Sequence, residues 1–404
     1  MFGKNLNWRS KDEKGDKKLK ILELFAGYGS QALALKYLGI DVESEISEID
    51  KYAIEAYNQI HGQTKNWGDI TKINEKQLGE YEIITYSSPC QDFSNAGLQR
   101  GGEKGSGTRS SLLWECERII FHCKPKYLLM ENVSALVSEK FKPCFIQWLK
   151  TLDKLGYNNY FQVLNAKDYG IPQNRERIFV VSIRKDIKQT YYFPKKQKLK
   201  IRLKDILEEN VEEKFYLSDK QVNTFKSSSY NQTASKEQDI NGTCSILCAR
   251  DWKDPKVVQV GNISASGSWD NPQKGRVYHP DGCSPTITCM QGGGLEPKIL
   301  EMYNPYNKSQ IKDITPTQTC GCGSKTSSAT VMIKYDNLRI RKLTPKECWR
   351  LMGVKDEDYA KLHGISNSQL YKLAGNSIVT NVLMEIFKQI IDPEMQEEEQ
   401  LQLF

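Results

Sequence analysis

The chain has 404 residues, a net charge of +7 and eleven cysteines. This length suffices for one large core and a second, smaller domain. There is no run of 18 apolar residues and no apolar N-terminal segment, which argues against a membrane span and a signal peptide. An odd cysteine count without a secretion signal is typical of reduced thiols, so we expect a cytoplasmic protein.

The first predicted element is a buried strand over Leu19–Phe25 that leads into a glycine-containing turn, Ala26-Gly-Tyr-Gly-Ser30. A helix is predicted from Gln31 to Leu38. Glycines between a strand and a helix let the backbone approach a ligand, and the helix start offers free N–H groups. Glu48 follows roughly 20 residues on, at the end of the next predicted strand, where an acid commonly binds ribose hydroxyls. The turn lacks the third glycine of the dinucleotide fingerprint and has no P-loop lysine, so it predicts a nucleoside without a pyrophosphate.

A cysteine follows the next predicted strand, Tyr81–Tyr86. Pro89-Cys90 lies in a polar turn with Gln91 and Ser94. A thiol there acts as a nucleophile only if positive charge or backbone N–H groups favour its ionisation. The alternative is an inert, buried cysteine.

Alternating helices and strands continue to about residue 183. Helices are predicted over 110–123 and 141–155, and strands over 127–130, 161–164 and 177–183. This order predicts a mostly parallel sheet with helices on both faces, with ligands beyond the carboxyl ends of its strands. Phe25, Glu48, Cys90 and Glu131 all fall at such ends. Arg175 and Arg177 supply two cations to the predicted site. The alternative interpretation is that these arginines and Glu131 are ordinary solvated surface residues.

Residues 184–338 are different in character. The segments 244–248, 285–289 and 316–320 share a pattern: small polar residues, then β-prone residues, then a cysteine. Each of these three repeats is predicted to contain two short strands. Only Cys244 and Cys248 have a spacing typical of structural zinc, so we predict no metal. Residues 184–342 contain 26 Lys and Arg against 17 Asp and Glu, a net +9 that suits phosphate binding.

The C-terminal part is predicted to complete the first domain, which the chain leaves near Arg184 and re-enters near Arg339. Thr344 and Glu347 predict a capping box around a helix start. A last helix is expected to open within 373–379 and to run to about Ile391. Residues 1–18 resemble a flexible arm, and 392–404 form an acidic tail.

Five ordered motifs together resemble those of DNA (cytosine-5)-methyltransferases. They are Phe25-Ala-Gly-Tyr-Gly-Ser30, Pro89-Cys90-Gln91, Glu131-Asn-Val133, Gln173-Asn-Arg-Glu-Arg177 and Gly375-Asn376-Ser377. Ser30 departs from the family, which often has a second glycine there. The resemblance implies an α/β, Rossmann-like, S-adenosylmethionine-dependent methyltransferase domain over 19–183 and 339–391. It also implies a second, smaller, mainly β target-recognition domain over 184–338.

The resemblance assigns roles to individual residues. Cys90 is the expected nucleophile, Glu131 binds N3 and the amino group of cytosine, and Arg177 with Arg175 holds its O2. The expected S-adenosylmethionine pocket comprises Phe25, Ala26, Gly27, Gly29, Ser30, Glu48, Ile49, Asp69, Ile70, Pro89, Leu112, Asn376 and Ser377, with Gly375 returning to it. The expected DNA contacts are Gln91, Ser94, Arg100, Arg109, Gly292, Gly293 and Gly321.

Double-stranded DNA is the expected partner, with the target base flipped out of the stack and residues 92–109 closing as a lid. We expect a monomer, in a bacterial or phage-infected cell near the nucleoid, with a cognate restriction endonuclease as an optional companion. Two alternatives stay open. Methylation of transfer RNA is disfavoured by the long region 184–338, and a catalytically silent DNA-binding protein is disfavoured by intact Cys90, Glu131 and Arg177.

Overall fold

The computed structural model describes residues 18–88, 109–227, 259–263, 275–278, 280, 282–289, 296–302 and 338–391. Several predicted features lie outside these ranges: residues 1–17 of the arm, the acidic tail, and most of the lid. The predicted site residues outside them are Pro89, Cys90, Gln91, Ser94, Arg100, Gly292, Gly293 and Gly321.

A seven-stranded sheet forms the centre of the larger part of the chain. Its strands are β1 Leu19–Leu24, β2 Val42–Ser47, β3 Lys65–Asn66, β4 Ile83–Tyr86, β5 Tyr127–Val133, β6 Tyr157–Asn165 and β7 Glu176–Arg184. The strand order is β3-β2-β1-β4-β5-β7-β6. Strands β1 to β5 are parallel, whereas β7 is antiparallel to both β5 and β6. The predicted α/β architecture with a mostly parallel sheet is confirmed.

Nine α-helices lie in the described ranges. They are α1 Ser30–Tyr37, α2 Lys51–His61, α3 Glu115–Cys123, α4 Lys142–Lys154, α5 Asp219–Ser227, α6 Pro345–Arg350, α7 Asp356–Tyr359, α8 Asn367–Asn376 and α9 Thr380–Ile391. None of the helices in these ranges is long and apolar enough to cross a bilayer.

Each face of the sheet has its own apolar core. Side chains of β1 alternate between them: Ile21 packs with α1, α8 and α9, and Leu22 packs with α3 and α4. Alternation of this kind follows from the two-residue period of a strand. The fully buried Trp148 of α4 shows how completely the second face is covered. The sheet is therefore a rigid base for residues at its rim.

A second, smaller sheet is built from β8 Gln259–Asn262, β9 Arg276–Tyr278, β10 Lys298–Met302 and β11 Leu338–Lys342, in the order β11-β10-β9-β8. It confirms the predicted smaller β part. Two details differ from prediction. Residues 285–289 are not a strand, since only Ser284 forms a β-bridge, to Gln173. The predicted re-entry near residue 339 falls inside β11.

The capping box at α6 is as predicted. The Glu347 N–H donates to Thr344 Oγ1, and Glu347 Oε2 accepts from the Thr344 N–H. The predicted single last helix is wrong, because α8 ends at Asn376 and α9 begins at Thr380. The backbone is extended at Ser377, where buried polar contacts replace the helical ones.

Candidate active site

The turn after β1 has a left-handed backbone at three positions, two of which are glycines. Phe25, Gly27 and Gly29 all have positive φ angles, of 59°, 59° and 80°. Gly29 precedes α1, and a Cβ there would lie 2.4 Å from Cε2 of Tyr57. The Gly27 N–H donates to Glu48 Oε2 at 2.8 Å, which ties the turn to the end of β2. The glycine turn and the acid are therefore in direct contact.

The end of β2 combines a carboxylate with an exposed apolar side chain. Glu48 Oε1 accepts from the N–H groups of Ile49 and Asp50 at 2.8 and 2.9 Å, and Ile49 is 75% exposed. Asp69 begins a short 3₁₀ turn that contains the buried Ile70. An apolar side chain beside carboxylates at strand ends has the chemistry that a nucleoside needs: a surface for the base and acceptors for its hydroxyls. These residues fit the nucleoside part of S-adenosylmethionine.

Other predicted pocket residues have structural contacts. Ser30 is buried and its hydroxyl donates to Gln31 Oε1, while Ala26 is buried and Leu112 packs against the core on the α3 and α4 face. Asn376 is exposed, and the buried Ser377 donates from Oγ to the Tyr28 hydroxyl at 3.0 Å.

Gly375, which is expected to return to the cofactor pocket, packs closely against another segment of the chain. A Cβ at this glycine would lie 2.1 Å from the Thr288 carbonyl oxygen and 2.4 Å from the Cys289 nitrogen. The absence of a side chain is thus explained by close packing against segment 284–289.

A buried acid beneath the turn was missed by sequence reasoning. Glu23 is fully buried in β1, where its Oε1 accepts from the Tyr57 hydroxyl at 2.6 Å and its Oε2 from the Ala32 N–H at 3.3 Å. Burial raises the pKa of Glu23 to about 7, and the two hydrogen bonds oppose that shift. The available signal was an acid in the middle of an apolar run.

Glu131 and Arg177 form an ion pair at the rim. The Arg177 Nε atom lies 3.1 Å from Glu131 Oε1, and their side chains are 17% and 10% exposed. Glu131 lies within β5, not after its end as predicted. Burial raises the pKa of Glu131 above its usual value, and the charges of Arg177 and Arg175 oppose the shift. A shielded carboxyl beside a fixed cation suits recognition of a polar ring.

Arg175 points elsewhere. It is 4% exposed, Nη1 donates to the Ile287 carbonyl at 2.8 Å, and Nη2 donates to the carbonyls of Gly375 and Ser377 at 3.0 and 2.7 Å. The expected contact of Arg175 with cytosine is replaced by a structural role, since its two terminal nitrogens serve backbone acceptors.

The chain that leads to Cys90 is held against β5. The Asn132 Nδ2 atom donates to the Ser88 carbonyl at 3.3 Å, two residues before Cys90. Sequence reasoning gave Asn132 no role. Arg109 begins a 3₁₀ helix, Arg109–Trp114, and its side chain is outside the described part of the chain. No group of three or more potential metal ligands is found among the described residues.

The chain is similar to known proteins over most of its length. The family model for C-5 cytosine-specific DNA methylases matches residues 19–392. The chain is 35% identical to type II methyltransferase M2.ScrFI of Lactococcus lactis subsp. cremoris, over 92% of this chain and 99% of that protein. It is 31% identical to orphan methyltransferase M.SPRI of Bacillus phage SPR, over 93% and 98%. The crystal structure of S. pombe Dnmt2 methyltransferase has the same fold, with a TM-score of 0.60, 18% identity and coverage of 94% and 99%.

Proposed function

The chain belongs to the C-5 cytosine-specific DNA methylase family, and from that premise we propose that it transfers a methyl group from S-adenosylmethionine to C5 of cytosine in a specific double-stranded DNA sequence. The observation that carries the proposal is the shielded Glu131–Arg177 pair at the rim, beside the chain that leads to Cys90. Relatives include a type II and an orphan phage methyltransferase. We infer a similar role here, as a modification enzyme or a phage methylase, acting as a monomer with or without a cognate endonuclease.

Glu48, Ile49, Asp69 and Ile70 would hold the nucleoside part of the cofactor, beside the glycine turn at 26–30. When bound, S-adenosylmethionine supplies an electrophilic methyl group. The protein must supply the rest, because C5 of an aromatic cytosine is too weak a nucleophile to accept that group. Stacked cytosine cannot reach a rim site, so the base must be flipped out of the duplex.

Cys90 would activate the base by covalent addition. Its thiolate forms a bond to C6, and the electron pair displaced from the C5–C6 double bond makes C5 nucleophilic. Glu131 binds N3 and stabilises the charge that develops there, and the raised pKa of Glu131 favours the acid form that can donate. Arg177 binds O2 through a charge-assisted donor. After methylation a base removes the C5 proton, the electron pair re-forms the double bond, and the Cys90 thiolate leaves.

The test is transfer of labelled methyl groups to duplex DNA and, in parallel, to transfer RNA. The proposal predicts that the duplex is labelled. Cys90→Ser should lower the activity at least a hundredfold, because a hydroxyl is a far weaker nucleophile than a thiolate. A loss of about that size is typical when a catalytic group is removed. Cys123→Ser, a half-buried cysteine of α3, is the matched control and keeps activity. Label in transfer RNA alone, or a Cys90→Ser variant with a tenth of the activity, would refute the proposal.

Target recognition is tested separately. If residues 291–294 read the DNA sequence, replacing them changes which cytosines are methylated, as mapped by bisulfite sequencing. Neutralising Lys253, Lys274 or Lys325 instead weakens binding uniformly and reduces its salt dependence. Variants of residues 291–294 that lose activity equally at every site would show that the DNA sequence is read elsewhere.

A further inference from the structure

Segment 284–289 is bound to the turn that precedes β7. The Ser284 N–H donates to the Pro172 carbonyl at 2.7 Å, and the Asn174 N–H donates to the Ser284 carbonyl at 2.8 Å. The Ile287 N–H donates to the buried Gln173 side chain at 3.1 Å. The same segment leads directly to residues 290–295, whose glycines are predicted to contact DNA. Contact of DNA with those glycines would therefore act on a neighbouring segment that is fixed to the turn before β7.

Arg175 joins this segment to the junction between α8 and α9. Its Nη1 reaches the Ile287 carbonyl, and its Nη2 reaches the carbonyls of Gly375 and Ser377. Close packing of Gly375 against Thr288 keeps the two parts in backbone contact. A guanidinium is planar and rigid, so displacement of one acceptor disturbs the donors to the others.

The junction is in turn linked to the cofactor turn. Ser377 Oγ donates to the Tyr28 hydroxyl at 3.0 Å, and Tyr28 lies between Gly27 and Gly29. The Tyr28 ring is buried and stacks on Trp349, with 4.4 Å between ring centroids. Buried contacts thus connect segment 284–289 with the turn expected to hold the cofactor, through Arg175, Ser377 and Tyr28.

We propose that Arg175 is a positioning residue that couples DNA binding to cofactor binding through Ile287, Ser377 and Tyr28. The inference rests on the proposed function, because it requires both ligands. Coupling of this kind is reciprocal: DNA strengthens cofactor binding by the same factor by which cofactor strengthens DNA binding. The role is distinct from catalysis, since none of these contacts involves a reacting atom.

The experiment measures the dissociation constant of S-adenosylhomocysteine by calorimetry, without DNA and with a duplex carrying the site mapped by bisulfite sequencing. The wild type should bind about 5- to 150-fold more tightly with DNA. Arg175→Lys keeps the charge but not the two-armed geometry, and it should reduce that factor about tenfold or abolish it. Tyr28→Phe, which keeps the ring, should reduce it about 2- to 12-fold, the value of one hydrogen bond.

Controls separate coupling from general damage. Arg184 is a half-buried arginine that donates to the Lys124 carbonyl and to Asp186, and Arg184→Lys should leave the factor unchanged. The double variant Arg175→Lys/Tyr28→Phe should lose no more than Arg175→Lys alone, as expected for residues in one pathway. If Arg175→Lys does not fold, Tyr28→Phe decides the matter.

Two results would overturn the inference: a wild type that methylates DNA but binds S-adenosylhomocysteine equally with and without it, or variants that keep the wild-type factor. Equal loss of affinity in both conditions also counts against it, because that is the signature of a purely structural residue. Failure of the proposed function is seen separately, as absence of methyl transfer to duplex DNA.

Discussion

Gly375→Ala tests the contact between α8 and segment 284–289. Gly375 has no positive φ angle and lies in a helix, so helix propensity alone predicts that alanine stabilises the protein by about 1 kcal/mol. The structure predicts the opposite. The new Cβ would lie 2.1 Å from the Thr288 carbonyl oxygen and 2.2 Å from its carbonyl carbon. Backbone atoms cannot rotate away as a flexible side chain can.

The size of the effect follows from these opposing terms. Forcing a methyl group into a packed interface costs about 1–3 kcal/mol, and a backbone collision of this depth belongs at the upper end. After the gain in helix propensity, the free energy of unfolding should fall by about 2 kcal/mol. Displacement of the Gly375 carbonyl should also weaken its hydrogen bond with Arg175.

Urea unfolding followed by tryptophan fluorescence measures the change. Gly79→Ala is the matched control: that glycine is exposed and has no positive φ angle, and a Cβ added there would have no neighbouring atom within 4 Å, so the stability should hardly change. A Gly375→Ala protein as stable as the wild type, or more stable, would refute the packing described here.

Three further substitutions, one of them with a control variant, test individual groups. Glu131→Gln should lower kcat about 10²- to 10⁴-fold with little change in DNA affinity. The wild type should lose activity as pH rises through the raised pKa of Glu131, and Glu131→Gln should not show that loss. Glu23→Gln should remove a pH-dependent loss of stability. Because burial raises the pKa of Glu23 from 4.5 to about 7, the wild type loses about 3 kcal/mol of unfolding free energy as pH rises through that interval. The loss is measured as the difference in unfolding free energy between the two proteins. Glu347→Ala should cost about 3–5 kcal/mol in urea unfolding, since it removes the carboxylate partner of the fully buried Arg341. The control Asp186→Ala, in an exposed pair, should hardly change the free energy of unfolding.

Local features of this fold could be predicted from the sequence. The glycine turn, Glu48 at the end of β2 and the capping box at Thr344 each depend on residues close together in the chain, so their patterns are visible there. The alternation of strands and helices likewise predicts the main sheet. These features share short-range or periodic causes.

Long-range contacts could not be predicted in the same way. Arg175 meets partners 112 and 202 residues away, and nothing near it in the sequence shows that its charge is buried. The break between α8 and α9 has the same origin, because Ser377 leaves the helix to contact Tyr28 and Arg175. The break itself, residues 377–379, contains neither glycine nor proline. Tertiary contacts here override local helix preference.

Trapping of a covalent complex tests the proposed chemistry most directly. A duplex with 5-fluorocytosine at the mapped target site should form an adduct that survives denaturation, because fluorine blocks the proton loss that precedes release of the thiol. Peptide mass spectrometry should place the adduct on Cys90, and Cys90→Ser should form none. An enzyme that methylates ordinary duplex yet forms no adduct, or forms it on another residue, would contradict covalent catalysis by Cys90.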